Sequence, residues 1–374
     1  MALAGRATAQ GTARYAARFV AAGAAHREHF RNALGLSLSS IGYGTALGEP
    51  TDAVDARYRE AVTGAVKAGC NVLDTAASYR MDRSEIALGR AVADLVAAGE
   101  CSRDELVIAS KGGFIVQHHK APAADPVQYV YEQFIKPGIF EPGDLAGGIH
   151  CMAPGFLAQQ IAWSLRDTDL RALDIYYIQN PEAQLLFVDR ATFHRRLQLA
   201  FARLEEEVAA GRIGCYGVAT WEAFRRPPIA REYMGLETML RLAVEVAGPD
   251  HHLRAIQLPI NVAMIEAATL RNQPVKNSIL PALNAARDLG LSVFASTALA
   301  QGQLTERAAE VLAEIFPELG AATHRSLQFA RSLPGVTTTL FGSTQITHVL
   351  DNMRPAAQPP DPKRALRVAH TLAR

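Results

Sequence analysis

Along most of the chain, short apolar runs alternate with longer stretches whose apolar residues recur at helical spacing. The runs at 38–43, 70–74, 106–110, 174–178, 213–219, 255–258, 291–295 and 336–341 predict strands. The stretches at 52–69, 84–98, 155–169, 190–210, 236–246, 278–289 and 323–332 predict helices, and a last one begins near Gln345. Gly69, Gly211 and Gly290 stand where helices stop, and Pro154 stands near the start of one, the usual asymmetry of helix ends. The strand runs are apolar on both faces, as befits strands buried between a barrel interior and a layer of helices. Strands alternating with helices imply a parallel sheet. Eight such units predict a closed (β/α)8 TIM barrel, in the α/β class. The rival is an open doubly wound sheet, weakened because no G-x-G-x-x-G follows the first strand.

The barrel is expected over residues 36–354, with an N-terminal arm or peripheral helix at 1–35 and a C-terminal tail helix at 355–374. Two connections are long, 112–154 and 220–235. Both leave the C-terminal ends of strands, the face on which barrel enzymes carry their chemistry. Phe114, Tyr129, Tyr131, Phe134, Phe140, Trp221 and Phe224 lie in them, which predicts ordered walls rather than disorder.

Composition narrows the partners. Of 374 residues 49% are hydrophobic, and 38 basic residues against 37 acidic ones leave a formal charge of +1. That balance offers no electrostatic ground for nucleic acid or an anionic membrane and leaves a small molecule as the expected partner. The four cysteines form no C-x-x-C pair, so free thiols in a reducing, cytoplasmic setting are expected. The Ala-rich start carries Arg6, Arg14, Arg18 and Arg27. It mimics an organelle transit peptide in composition, but Arg14 and Arg18 break the apolar core of a secretory signal. No stretch reaches the roughly 18 apolar residues of a membrane span. Oligomeric state is left open.

Asp74, Tyr79 and Lys111 fall at or just beyond predicted strand ends, which converge in a barrel. A tyrosine with a pKa of about 10 is a poor proton donor at neutral pH. A nearby ammonium stabilises the phenolate and lowers that pKa, and a buried aspartate keeps the lysine charged. The three together make a phenolic general acid suited to protonating an alkoxide. Singly, each has a bland reading as packing, a turn cap or a snorkelling cation.

Their setting resembles the aldo-keto reductase family. GYGT (42–45), DTAASY (74–79), SEIALG (84–89), SKGG (110–113), DIYYIQNP (174–181), GRIGCYGVAT (211–220) and GSTQITHVLDN (342–352) follow the order of that family's motifs. The resemblance implies transfer of hydride from NADP(H), with NAD(H) as the alternative, to the carbonyl of a medium-sized organic substrate. Tyr79 would donate the proton, with Asp74, Lys111 and Gln179 completing the catalytic set. The cofactor would meet Gly44, Thr45, Asp74, Asn180, Thr220, Gln257, Ser296, Thr297, Leu299, Gly342, Ser343, Gln345, His348 and Asn352. Phe114, His150 and Trp221 would line the substrate pocket.

The chain departs from the pattern at several places. Gln179 stands where the family has its catalytic histidine, and an amide can donate a hydrogen bond but cannot titrate. Ala219-Thr220 replaces Ser-Asn, and Ser296 replaces a stacking aromatic ring. The 342–352 segment has Gln345 and His348 but no Arg or Lys, so a bidentate clamp on a 2′-phosphate is missing. The interval from Tyr79 to Ser84 is two residues longer than in many members. The altered histidine position leaves two other functions open: a non-redox acid–base isomerase or dehydratase on the same scaffold, and a cofactor-binding regulatory subunit with little turnover.

No metal is expected. His118-His119 and His251-His252 are adjacent pairs whose rings should point apart, without Cys, Asp or Glu at ligand spacing, and read as exposed loop residues. His150 could replace the missing histidine if its loop folds over the pocket. Cys151 has no evident base partner for a nucleophile.

Overall fold

The computed structural model describes residues 2–119 and 125–373, apart from the side chain of Gln301. Eight parallel strands close a barrel: β1 (Ile41–Gly44), β2 (Val72–Asp74), β3 (Val107–Gly112), β4 (Leu173–Gln179), β5 (Ile213–Ala219), β6 (Leu253–Pro259), β7 (Ser292–Ser296) and β8 (Val336–Gly342). Each is followed by an outer helix: α1 (Asp52–Lys67), α2 (Arg83–Ala97), α3 (Pro154–Thr168), α4 (Arg190–Ala209), α5 (Leu236–Ala247), α6 (Ala282–Asp288), α7 (Ala322–Ser332) and α8 (Ile346–Met353). The fold is the (β/α)8 TIM barrel that the alternating pattern predicts.

Side chains of a strand alternate between its faces. Val72, Val107, Ala109, Ile175, Tyr177, Cys215, Ala219, Ala255, Phe294 and Leu340 share one buried cluster, the barrel interior. Their alternation fixes which later positions also point inward. The helix-facing side chains form the larger outer core. An antiparallel hairpin of Phe30–Ala33 and Leu36–Ser39 precedes β1, and its Leu38, Ala33, Leu34 and Leu36 pack against the interior cluster as an apolar plug. Its tip, Leu34 and Gly35, has φ of 56° and 72°, the double positive φ that a two-residue hairpin turn requires.

Two elements differ from the expectation. The run at 38–43 is two strands, not one. Ser40 donates its N–H to His29 and accepts from the Thr339 N–H, so the chain changes partners there, from hairpin to barrel. The stretch at 278–289 is not one helix. Ser278–Pro281 pairs antiparallel with Arg271–Val275, and α6 begins only after Pro281, whose ring and missing N–H bar it from a helix interior. The helix Glu306–Ile315, capped by Thr305, has no counterpart in the predicted elements.

The ends pack on the barrel. Helix Ala9–Ala21 buries Tyr15, whose hydroxyl donates to Val66 O at 2.5 Å. Arg14 and Arg18, which give the start its leader-like composition, both pair with Glu105. Helix Pro362–Leu372 lies on Glu306–Ile315 and α7. No described helix is long and apolar enough to cross a membrane.

Candidate active site

The polar centre is the last inward layer of the barrel. Asp74, Lys111, Gln179, Gln257 and Ser296 are the final inward positions of β2, β3, β4, β6 and β7, two residues beyond interior positions Val72, Ala109, Tyr177, Ala255 and Phe294. Strand register joins them. Asp74 pairs with Ala109, Gln179 with Ala219, and Ala219 with Gln257. The layer beneath is apolar, with the Tyr177 and Phe294 rings 6.2 Å apart.

Lys111 Nζ donates to Asp74 Oδ1 at 2.5 Å and to Thr75 O at 2.9 Å. Gln257 Nε2 donates to the other aspartate oxygen at 2.8 Å. The ammonium lies 4.7 Å from the centre of the Tyr79 ring. Burial works against the charge on Lys111, but Asp74 and Tyr79 outweigh it, and the pKa rises. Tyr79 differs from expectation: burial raises its pKa above the ordinary phenol value, and Lys111 opposes the rise without reversing it. The phenol is therefore wholly protonated at neutral pH, the form that a proton donor needs. An ammonium this close lowers the cost of a phenolate.

Gln179 is oriented. Ser78 Oγ donates to its Oε1 at 3.0 Å, so the amide N–H groups are the ones left to face elsewhere. Its backbone is held as well, because His150 Nε2 lies 2.8 Å from Gln179 O. That placement corrects the reading of His150 as a pocket residue or stand-in acid. The side chain is wholly buried, and its Nδ1 faces Gln184 Nε2 at 3.1 Å. Both ring nitrogens are engaged, and burial lowers the pKa to about 4. Phe114, edge-on to the His150 ring, is half-buried.

The remaining predicted residues form a rim. Thr220 donates its N–H to Gln257 O, and its buried Oγ1 has no hydrogen-bond partner among the described residues. Asn180, at φ 46°, donates its N–H to Ala219 O. Thr45 Oγ1 donates to Thr75 Oγ1 at 2.9 Å, and Ser84 Oγ donates to Thr45 O, which ties the β1 and β2 ends to α2. Gly44 and Gly342 are register partners, and a Cβ on Gly342 would sit 3.1 Å from Gly44 O. Glycine leaves that edge open. Ser296 O accepts from Thr297 Oγ1 and the Ile260 N–H, and Thr297 has φ 55°. Leu299 is partly buried against the outer core. Ser343 Oγ accepts from the Gln345 N–H at 3.1 Å at the start of α8, where Gln345 and His348 are exposed and Asn352 is buried.

The aldo/keto reductase family model matches residues 40–365, most of the chain. This chain belongs to the aldo/keto reductase family. As such it is an NAD(P)-dependent oxidoreductase, of a family that reduces carbonyls. An aldo/keto reductase from Klebsiella pneumoniae, in complex with NADP and acetate, shares its fold with TM-score 0.62 and 18% identity, covering 92% of this chain and 95% of that one. A glycerol dehydrogenase from Gluconobacter oxydans gives 0.59 and 16%, covering 90% and 91%. A holo-form aldo-keto reductase from Bacillus halodurans gives 0.60 and 17%, covering 91% and 94%. No curated protein matches.

In this aldo/keto reductase the long third connection packs a small core of its own. Val130, Phe134, Phe140, Cys151 and Phe156 are buried together, with Trp163 against them. Burial pushes the Cys151 thiol up to about 12, which removes it as a nucleophile at neutral pH. All four cysteines are unpaired and buried. Trp221 is exposed, at 39%, and its N–H is held by Glu182 Oε1 at 2.7 Å. Glu182 is buried, and burial raises its pKa to about 7 against several backbone N–H groups that lower it. Neither Glu182 nor Ser78 stands among the expected site residues. Ser78 lies inside the DTAASY motif, which is a signal in the sequence; Glu182 follows Asn180-Pro181 with no signal of its distant partners. His252 is no free loop histidine, since its Nδ1 lies 2.6 Å from Glu205 Oε2.

Proposed function

We propose that this enzyme reduces the carbonyl of a medium-sized organic substrate with NADP(H), with Tyr79 as proton donor. The observation that carries the reading is the buried Asp74–Lys111 pair beneath the Tyr79 ring, beside an amide whose oxygen Ser78 occupies. The site residues suit a nicotinamide. The unpartnered Thr220 Oγ1 and the Asn180 and Gln257 amides offer donors and acceptors of the kind a carboxamide needs. The start of α8 has no side-chain cap, and N–H groups at a helix start suit a phosphate without a cation. The Klebsiella pneumoniae relatives bind NADP and NADPH, which favours the phosphorylated cofactor.

When bound, the cofactor supplies the hydride to the carbonyl carbon. The chain does the rest. An N–H of Gln179 holds the carbonyl oxygen, and the Tyr79 hydroxyl gives its proton to that oxygen as negative charge develops. The Lys111 ammonium stabilises the resulting phenolate, and Asp74 keeps the ammonium charged and in place. A low-dielectric site strengthens each of these interactions. The test is consumption of NADPH against a panel of aldehydes and ketones. Turnover with at least one class is expected. Full NADPH binding without turnover on any would replace this reading with the cofactor-binding regulatory one.

A further inference from the structure

Beyond the hydride chemistry, the longer interval between Tyr79 and Ser84 has built something else. Arg80, Met81 and Asp82 have φ of 54°, 56° and 66°, a run of left-handed residues directly after Tyr79. The turn delivers Asp82, 4% exposed, to the third connection. There its Oδ1 is bonded to His119 Nδ1. Its Oδ2 is buried and accepts no hydrogen bond among the described residues, yet His118 Nε2 lies 3.2 Å away. The two imidazoles stack, with centroids 4.9 Å apart and planes at 22°. Adjacent rings were expected to diverge; in this loop they converge on one carboxylate.

One ligand atom from each of Asp82, His118 and His119 lies within 4.8 Å of the others. Ligands about 2.0–2.2 Å from a tetrahedral zinc ion stand about 3.3–3.6 Å apart, a spacing that these side chains approach as placed. Two of the cations nearby are already paired. Arg83 is held by Asp52 and Asp55, and Arg166 by Asp167. Cavities of about 750 and 560 Å³ meet at His118, so an ion has a way in and solvent can complete its coordination.

We propose that Asp82, His118 and His119 form a site for a divalent transition metal of the zinc type. Two imidazoles and one carboxylate suit such ions better than calcium or magnesium, which prefer oxygen ligands. A bound ion would tie the third connection to the turn that carries Tyr79, and takes no part in the transfer of hydride or proton.

The test uses tag-free, chelator-treated full-length protein titrated with ZnCl2 by calorimetry, and with CoCl2 by visible absorption. One equivalent of zinc is expected to bind and to raise the Tm of the wild type. His118→Ala, His119→Ala and Asp82→Asn should each weaken binding at least about 100-fold and abolish the rise in Tm. Asparagine tolerates the left-handed turn, and both histidines lie in a surface loop, so the variants should fold; circular dichroism checks this. His251→Ala should bind as the wild type does. No zinc binding, or binding undiminished in the three variants, overturns the proposal and leaves the cluster as ion pairs alone.

Discussion

Ser110 and Lys111 are neighbours on β3, and each meets a buried carboxylate on its own side of the barrel wall. Inside, Asp74 is joined by an ammonium and by the Gln257 amide. Outside, Glu85 of α2 accepts from the Ser110 hydroxyl at 2.5 Å, and the Ser164 hydroxyl also acts on it; its second oxygen has no hydrogen-bond partner among the described residues. Burial raises the Glu85 pKa to about 7. One strand thus separates a carboxylate paired with a cation from one whose pKa burial raises. The difference is the partner and not the burial, since both side chains are almost wholly enclosed.

The sharpest way to break that comparison is to remove the charge inside. Asp74→Asn leaves the Lys111 ammonium buried without its counter-ion, and breaking a buried pair costs about 3–5 kcal/mol. Urea unfolding at pH 7 should show a loss of that order, together with loss of turnover. A stability equal to the wild type would mean that the pair is not buried as described.

Glu85→Gln should act in the opposite direction. The folded pKa of Glu85 is raised, so its contribution is fully present below the unfolded pKa of about 4.5 and is lost as pH rises through about 7. The amide keeps the Ser110 bond and can donate to Ser164 Oγ or the Tyr176 hydroxyl, neither of which has a hydrogen-bond partner among the described residues. The variant should gain about 3 kcal/mol at pH 8 and only about 1 kcal/mol at pH 5, read by urea unfolding at the two pH values. An equal change at both would place the Glu85 charge elsewhere.

Smaller effects concern the rim. Without Arg or Lys in the 342–352 segment, a helix start alone would hold the 2′-phosphate. Discrimination between NADPH and NADH by fluorescence titration should then stay below about a hundredfold, roughly 2.7 kcal/mol. A larger preference would require a cation from another loop. The smallest change expected is that of Gln179→His: kcat/KM for simple aldehydes rises while that for the native substrate falls. Improvement of both, or of neither, would show that the amide is no specialisation of the chemistry.

Much of the centre was legible because a barrel converts strand phase into position. Once DTAASY, SKGG and DIYYIQNP stand at strand ends, alternate residues must face inward, which puts Asp74, Lys111 and Gln179 in one layer. Contacts made by turns and loops carry no such period. The Ser78–Gln179 bond depends on how one turn folds back, and the burial of His150 on the packing of a loop whose core has no repeating pattern. The hairpin at 271–281 was hidden for a related reason: a short apolar run reads equally as helix or strand, and Pro281 alone marks the boundary. His118 and His119 illustrate the converse, since spacing rules for neighbours hold in strands and helices and lapse in irregular backbone.

The central claim is that Tyr79, kept protonated by burial and relieved by Lys111 after transfer, is the proton donor. Tyr79→Phe measures it most directly, with kcat/KM for carbonyl reduction and the Kd for NADPH determined on the same preparation. A loss of about 10²–10⁴-fold in kcat/KM with unchanged NADPH affinity is expected. A variant that keeps near-full kcat/KM would contradict it and remove Tyr79 from the chemistry.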